Sequence, residues 1–511
     1  MNPTTLTNFS ASCQRTYTLT VVCLLIWGTC GTVLTVAQPI HTFDIVLDGG
    51  RVIDPETGLD EVRNIGIRDG RIMAVSSEVL TGKQNIDVSN LVVSPGFIDL
   101  HVHGITNREQ EYQARDGVTT ALELEFGVPY LEKWYRSREG KALINYGASV
   151  NWAVNRVKGL DAMGPVFEEI EREISGGDFR GFPSVMNHFY RAFSVELSKI
   201  RTVEMLNGIR ESLAAGGLGI GVPSGYIGGA SREEVFRLYQ LAGKMQVPII
   251  SHVRPGGTMA VQQAISNALL TNAPLHIVHI NSVTRSEIGL AIEIVQTAQN
   301  KGFDITTELY PYPAGSTGLQ TAIFDEGWQE RLGISYDAIQ WVATGERLTK
   351  ETFDKYRKEG GMVISYTMKP EWIRLGIAAK DVMIASDGMP YAALAHPRTA
   401  GTFSRVLGKF VREEEVVTLP VALEKITLLP AKRLETVAPM MRYKGRIQVG
   451  CDADLTIFDP QTIIDKASFE RGLEFSEGIR YVMVQGVLIV EDGKTVKNVF
   501  PGQPILGKYK K

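Results

Sequence analysis

From about Ser94 to Pro439 the chain alternates short apolar runs with helical patterns, and this alternation constrains its fold more than any other feature. The strand-like runs are Phe97 to His103, Thr119 to Glu125, Gly217 to Val222, Pro248 to His252, His276 to His279, Asp304 to Tyr310 and Val382 to Asp387. Helical patterns such as Arg232 to Met245, Val261 to Leu270 and Ser286 to Lys301 lie between them. Parallel strands need crossover connections of this kind, which cover the sheet on its outer face. The prediction is an α/β protein with a (β/α)8 barrel, because the span suits eight units plus one insertion. Gly318 to Lys380, long, charged and helical in pattern, is read as that insertion.

The two ends of the chain read differently from this middle. Phe43 to Val93 is a series of short alternating segments separated by Gly49-Gly50, Asp54-Pro55 and Asp69-Gly70, which supply turn chemistry. Gly445 to Val496 repeats the style, with Asp492-Gly493 as a turn. Residues 42–93 and 440–505 are therefore expected to form one discontinuous small β-sandwich, closed by both ends around a barrel at 94–439. No internal repeat, low-complexity tract or heptad seam is evident.

Residues 1–37 stand apart again. Arg15 is the only charge, Leu19 to Trp27 is an apolar run, and Thr35-Val36-Ala37 supplies small residues before Gln38. This pattern is read as a cleaved secretory signal peptide, placing the mature protein outside the cell or in the periplasm. An uncleaved membrane anchor is the alternative, although the apolar run is short for a span of about 20 residues. Cys13, Cys23 and Cys30 all fall in this segment, so Cys451 is left alone and no intrachain disulfide is expected in the mature chain. With 22% charged residues and a net charge of -4, the chain has no basic excess to attract nucleic acid or anionic lipid.

Polar residues fall in a telling place on the predicted strands. In Ser94-Pro-Gly-Phe-Ile-Asp-Leu-His-Val-His-Gly104, the two-residue spacing of His101 and His103 puts both imidazoles on one face of a strand. Glu123 or Glu125, His252, His279 and Asp387 lie at the carboxyl ends of four further strands, where barrel enzymes assemble their sites. Each alone could be a satisfied core residue or a helix cap, but five strand ends converge on one mouth. Imidazole nitrogens and carboxylate oxygens suit a divalent ion such as zinc, which lowers the pKa of bound water and polarises a carbonyl. Asp387 is then placed to take a proton from water and pass it to a leaving amine. The reaction class this implies is metal-assisted amide hydrolysis.

The motif "SPGFIDLHVHG" closely resembles the first metal-binding strand of the amidohydrolase superfamily. Within it, "GVTT" at 117–120, "SHVR" at 251–254, "LYPYPAGST" at 309–317, "SDG" at 386–388 and "HPR" at 396–398 are similar in order and spacing to the N-acyl-D-amino-acid deacylases, or D-aminoacylases. With "ALELEFG" at 121–127, the chain looks most like the D-glutamate deacylase branch. The resemblance implies a barrel holding one or two zinc ions that releases a D-amino acid and a carboxylate from a small N-acyl-D-amino acid. It implies His101, His103, His252 and His279 as ligands, Asp387 as catalytic aspartate and ligand, and Tyr310, Ser316 and Arg398 as substrate contacts, Arg398 on the α-carboxylate. Arg254 and Asn281 complete the expected substrate-binding set. The tightest metal position is implied to lie with the later histidines and the second-strand ligand.

Two departures from that family matter. Many members carry a cysteine ligand just after "GVTT"; this chain has none, and a glutamate must substitute, with Glu125 favoured over Glu123 because it lies nearer the strand's carboxyl end. Many also carry a lysine where this chain has Asn281. A cyclic-amide hydrolase resembling dihydroorotases and hydantoinases is the alternative enzyme, but the Gly217 strand ends in Pro223-Ser224-Gly225 without the lysine those enzymes use. A non-catalytic scaffold on the same fold is the third reading. No stable membrane partner is expected unless the first segment stays uncleaved.

Overall fold

The computed structural model describes residues 42–158, 193–390, 394 and 396–511. Its centre is eight strands, β1 (Phe97–Asp99), β2 (Val118–Val128), β3 (Asn145–Asn151), β4 (Ile220–Pro223), β5 (Ile249–His252), β6 (Leu275–Ile277), β7 (Ile305–Leu309) and β8 (Val382–Ile384). They pair in chain order and every neighbour is parallel. The ends of this sheet meet through a parallel bridge between Val102 and Gly388, and His103 N donates to Gly388 O at 2.6 Å. Asp99 Oδ1 stitches the same seam, accepting from His101 N at 3.1 Å and from Ser386 N at 3.0 Å. The barrel predicted from the alternation is present.

Seven of the eight strands overlap runs read from the sequence, and β3 does not. Its residues Asn-Tyr-Gly-Ala-Ser-Val-Asn are all buried, so it shows no alternation. Its polar ends are tolerated because they are satisfied: Asn145 Nδ2 donates to Asp454 Oδ2 at 2.8 Å, and Asn151 Oδ1 accepts from Val154 N at 2.8 Å. Strands β1 and β8 are also shorter than expected, because beyond Asp99 and Ile384 the chain serves the seam and the mouth of the barrel.

Helices pack around the strands through apolar stripes. In Arg232–Met245, Ser231 Oγ caps the first turn by accepting from Glu234 N at 3.0 Å. Val235, Leu238, Tyr239 and Ala242 recur at helical spacing and are buried, each large apolar side chain worth about 1.5–3 kcal/mol. Gln246, in the left-handed region at φ 48°, ends the helix.

Residues from both ends of the chain pair into one nine-stranded sheet. Strand Val92–Pro95 is the junction, parallel to Phe43–Asp54 and antiparallel to Leu455–Phe458. Strand Phe43–Asp54 shifts register between Leu47 and Gly50, with Gly49 at φ 73°. Its first half pairs with Gly82–Asp87 and its second with Val92–Pro95, so the sheet bends over a core that includes Leu47, Val52, Ile67, Leu455 and Ile457. Cys451 is free and buried in this core.

The insertion differs from its expected helical character. Gly315–Gly318, Met362–Ser365 and Ile339–Trp341 form a three-stranded antiparallel sheet, with helix Lys350–Glu359 beside it and a core around Phe324, Trp328, Trp341 and Phe353. Strands of three and four residues are too short to announce themselves against the charged helical pattern around them. Helix Pro370–Ala378 lies inside the expected insertion range, yet its Ile373 and Ile377 join the barrel core. No described helix is long and apolar enough to cross a membrane. The segment read as a signal peptide, with Cys13, Cys23 and Cys30, lies outside the described residues.

Candidate active site

Glu125, near the end of β2, is the centre of the barrel mouth. Its Oε2 lies 3.0 Å from His101 Nε2 and 3.1 Å from His103 Nε2. Its Oε1 lies 2.6 Å from His252 Nδ1 and 3.5 Å from His279 Nε2. Four imidazoles from three other parts of the barrel thus converge on one buried carboxylate. Asp387 Oδ1 faces the first pair, 3.5 Å from His101 Nε2 and 3.2 Å from His103 Nε2. Ligand atoms of His101, His103, Glu125 and Asp387 lie within 4.8 Å of one another, and those of Glu125, His252 and His279 do likewise. Glu125 belongs to both groups.

A second ring of carboxylates sits behind the histidines. His103 Nδ1 meets Glu123 Oε2 at 2.8 Å, so Glu123 orients a histidine instead of standing in the centre. His101 Nδ1 meets Glu308 Oε1 at 2.6 Å, and Glu308 Oε2 is 3.3 Å from His276 Nε2. Glu308 and His276 are absent from the sequence-derived set. Their only signal is their place on β6 and β7, two strands already assigned to the barrel.

Charge in the site is finely opposed. Burial alone would raise the Glu125 carboxyl, but His252 and His101 outweigh it and hold Glu125 well below the usual carboxylate range. Burial works against protonation of His101, yet Asp387 and Glu308 prevail and raise it well above the usual imidazole value. His103 is raised in the same sense, with Glu123 and Asp387 overcoming burial. For Asp387, the Arg398 guanidinium and His101 overcome burial and hold the carboxyl low. The mouth of the barrel therefore favours positive charge at the point where the histidine nitrogens converge.

Arg398 and Tyr310 form the next wall. Arg398 Nη2 is 2.9 Å from Asp387 Oδ1 and donates to Ser316 O at 3.4 Å, while the guanidinium lies 4.9 Å from the Tyr310 ring centre. Among the described residues, Arg398 Nε is buried without a hydrogen-bond partner. His396 fixes the start of this segment: its Nδ1 accepts from Arg398 N at 3.1 Å and its Nε2 donates to Ala314 O at 2.9 Å. Ser316 approaches from the insertion sheet. Asn281 is fully buried and commits Nδ2 to Tyr310 O at 2.9 Å, so it supports Tyr310 instead of lining the mouth. Arg254 does not join the site: β5 ends at His252, strand alternation ends with it, and Arg254 Nη2 turns to Ala230 O at 2.5 Å.

Two site residues sit on unusual backbone. His279 has φ 32° and Asp387 has φ 52°, both left-handed without glycine. Such positions cost of order 1–3 kcal/mol and persist where surrounding structure over-determines them. Here the seam bonds around Gly388, and the bond from His279 N to Glu308 Oε1 at 3.4 Å, supply that constraint.

No family model matches the chain. It is 27% identical to a D-aminoacylase of Alcaligenes xylosoxydans xylosoxydans over 88% of this chain and 95% of that protein. It is 26% identical to an N-acyl-D-glutamate deacylase of the same organism, over 87% and 93% of the two chains. Its fold matches the crystal structure of N-acyl-D-glutamate deacylase from Bordetella bronchiseptica, a complex with zinc and a phosphonate mimic of the tetrahedral intermediate, with a TM-score of 0.74 at 22% identity over 91% and 99% of the chains.

Proposed function

We propose that this chain, similar over most of its length to N-acyl-D-amino-acid deacylases, is an amidohydrolase that hydrolyses the amide bond of N-acyl-D-amino acids in a metal-dependent reaction. N-acyl-D-glutamate is the preferred example, in keeping with the second of those relatives. The observation that carries the reading is the shared Glu125, flanked by four histidines, with Asp387 and Arg398 directly beside it.

The donor set fits one or two divalent ions. Neutral imidazole and carboxylate donors suit zinc, and the low Glu125 and Asp387 carboxyls keep both groups ionised as anionic donors. His101, His103 and Asp387 would hold one ion, His252 and His279 a second, and Glu125 would bridge. When bound, such an ion acidifies water and polarises the amide carbonyl.

The remaining roles fall to the chain itself. Asp387, ionised and facing the histidine cluster, accepts a proton from the attacking water and returns it to the departing amine. Arg398 keeps one nitrogen on Asp387 and offers its unpartnered Nε–H to the substrate's α-carboxylate, and the planar fork fixes that carboxylate relative to the acyl carbon. Just beyond β4, the Ser224 hydroxyl donates to His252 O at 2.9 Å, and the strand end carries no lysine of the kind cyclic-amide hydrolases usually use.

The test is direct. Metal content of the purified protein is measured, and amine release is assayed from N-acetyl-D- and L-amino acids and from cyclic imides. Bound divalent metal with release only from D-substrates supports the reading; turnover of cyclic imides alone overturns it. Secretion to the periplasm or beyond rests on the 1–37 pattern, and amino-terminal sequencing of the exported protein tests it.

A further inference from the structure

We infer that Glu308 is a positioning residue that fixes the tautomer and orientation of His101, and that His276 and Thr306 hold Glu308 in turn. The inference rests on the metal-dependent reading of the site. Glu308 is buried on β7, one layer below the mouth, with Oε1 at 2.6 Å from His101 Nδ1 and Oε2 at 3.3 Å from His276 Nε2. Below it, His276 Nδ1 meets Thr306 Oγ1 at 2.8 Å. The chain of contacts runs Thr306, His276, Glu308, His101 and reaches Glu125 through His101 Nε2 at 3.0 Å.

Donor and acceptor roles follow from the groups present. A carboxylate only accepts, so His101 donates from Nδ1 to Glu308, and Nε2, facing the Glu125 and Asp387 carboxylates, is the nitrogen that would give up its proton to hold a metal. His276 must likewise donate from Nε2, and its Nδ1 then accepts from the Thr306 hydroxyl. Every proton in the row is assigned, and no alternative places a donor on Glu308. Among the described residues, His252 has no such partner behind it; its Nδ1 is the nitrogen that faces Glu125. Glu308 therefore meets a ring nitrogen only in the His101 group; in the other group it reaches the backbone N–H of His279, at the longer distance of 3.4 Å, and neither the His252 nor the His279 ring.

That asymmetry separates positioning from general structural support. Carboxylates behind metal-ligating histidines are worth about 10–100-fold in metal affinity. Glu308→Ala is predicted to weaken one of two zinc-binding steps by about 10–100-fold in chelator-competition titrations and to affect the other step, which it touches only through the His279 backbone N–H, much less. Glu308→Gln is predicted to lose less, because the amide oxygen still accepts from His101 Nδ1–H, and His276 can reverse its tautomer and donate to Thr306 Oγ1 instead. Should Glu308→Ala fail to fold, Glu308→Gln and Thr306→Val carry the comparison, and the zinc-loaded wild type labelled with 15N-histidine gives an independent readout. There, the Nδ1-protonated tautomer of His101 is expected.

Metal bound through His101 Nδ1, equal weakening of both steps, or unchanged affinity in Glu308→Ala each overturns the inference. Absence of deacylase activity in a wild type whose His101-linked step responds as described overturns the proposed substrate class and leaves the positioning role standing.

Discussion

The sharpest consequence of the geometry concerns which glutamate replaces the missing cysteine. Glu125 lies within 3.5 Å of one nitrogen on each of four histidines, whereas the Glu123 carboxylate, among the described residues, bonds to His103 Nδ1 and Phe126 N. A structural four-ligand zinc site is worth on the order of 10–16 kcal/mol, so one ligand carries about 3–4 kcal/mol, or 10²–10³-fold in affinity. Glu125→Ala removes a member of both ligand groups and leaves His252 and His279 as a pair, too few to retain an ion in competition with a chelator. Glu123→Ala instead frees a histidine to rotate, a loss of about 10–100-fold confined to the His103 group. Equilibrium dialysis against chelator-buffered zinc, followed by metal analysis and a thermal melt of each variant, separates the two. Glu125→Ala should lose affinity in both binding steps and Glu123→Ala in one. A larger or broader loss in Glu123→Ala would show that the central position of Glu125 is not that of a shared ligand.

Other perturbations probe the rest of the site and its frame. Asp387→Asn should lower kcat by about 10²–10⁴-fold while zinc stays bound, and wild-type turnover in that variant would refute the proton-transfer role. Arg398→Lys keeps the charge but loses the planar fork, so KM for N-acyl-D-amino acids should rise more than kcat falls; an unchanged KM would place the carboxylate elsewhere. Outside the site, Arg446 pulls the Glu56 carboxyl from 4.5 to about 2 against the effect of burial. This lowered carboxyl contributes stability above pH 4.5 that is lost as pH falls toward 2, about 1–2 kcal/mol after allowing for its partial exposure. Urea denaturation of Glu56→Gln should show a flatter acid limb than the wild type across that window, and identical limbs would remove Glu56 from the account.

How much of this was legible in the sequence depended on whether partners were local. His101 and His103 announce themselves by a two-residue spacing, and the alternation of strands and helices marks the barrel. Glu308 is invisible in the same way that β3 is. Its partners His101 and His276 are 207 and 32 residues away, and without them a glutamate inside a barrel strand has no rationale. Asn145 is likewise explained by Asp454, 309 residues away in the terminal sheet. Arg254 shows the opposite error: its motif is in the sequence, but β5 stops two residues earlier and the side chain leaves the mouth. Arg398 could be singled out only through the family resemblance, since an arginine beside a proline has no pattern of its own.

The seam between β1 and β8 is where fold and chemistry meet, and Asp99 tests that connection. Its Oδ1 accepts from His101 N at 3.1 Å on one strand and from Ser386 N at 3.0 Å on the other, while Oδ2 is buried without a partner. One oxygen thus holds the backbone of a histidine of the cluster and the backbone next to Asp387. Asp99→Asn keeps an acceptor in that place and puts an amide where an unpaired oxygen already stood, so its unfolding free energy should stay within about 1 kcal/mol of the wild type. Asp99→Ala strands two buried N–H groups at about 1–3 kcal/mol each, a loss of about 2–6 kcal/mol. It also frees the two strand ends to separate, which moves Asp387 relative to His101 and His103, and a misplacement near 1 Å is enough to cost about 10²-fold in rate. Activity should therefore survive in Asp99→Asn and fall in Asp99→Ala, with denaturant titration following the same order. If the asparagine variant is as impaired as the alanine variant, the negative charge of Asp99 matters, and the seam is held by something other than a shared acceptor.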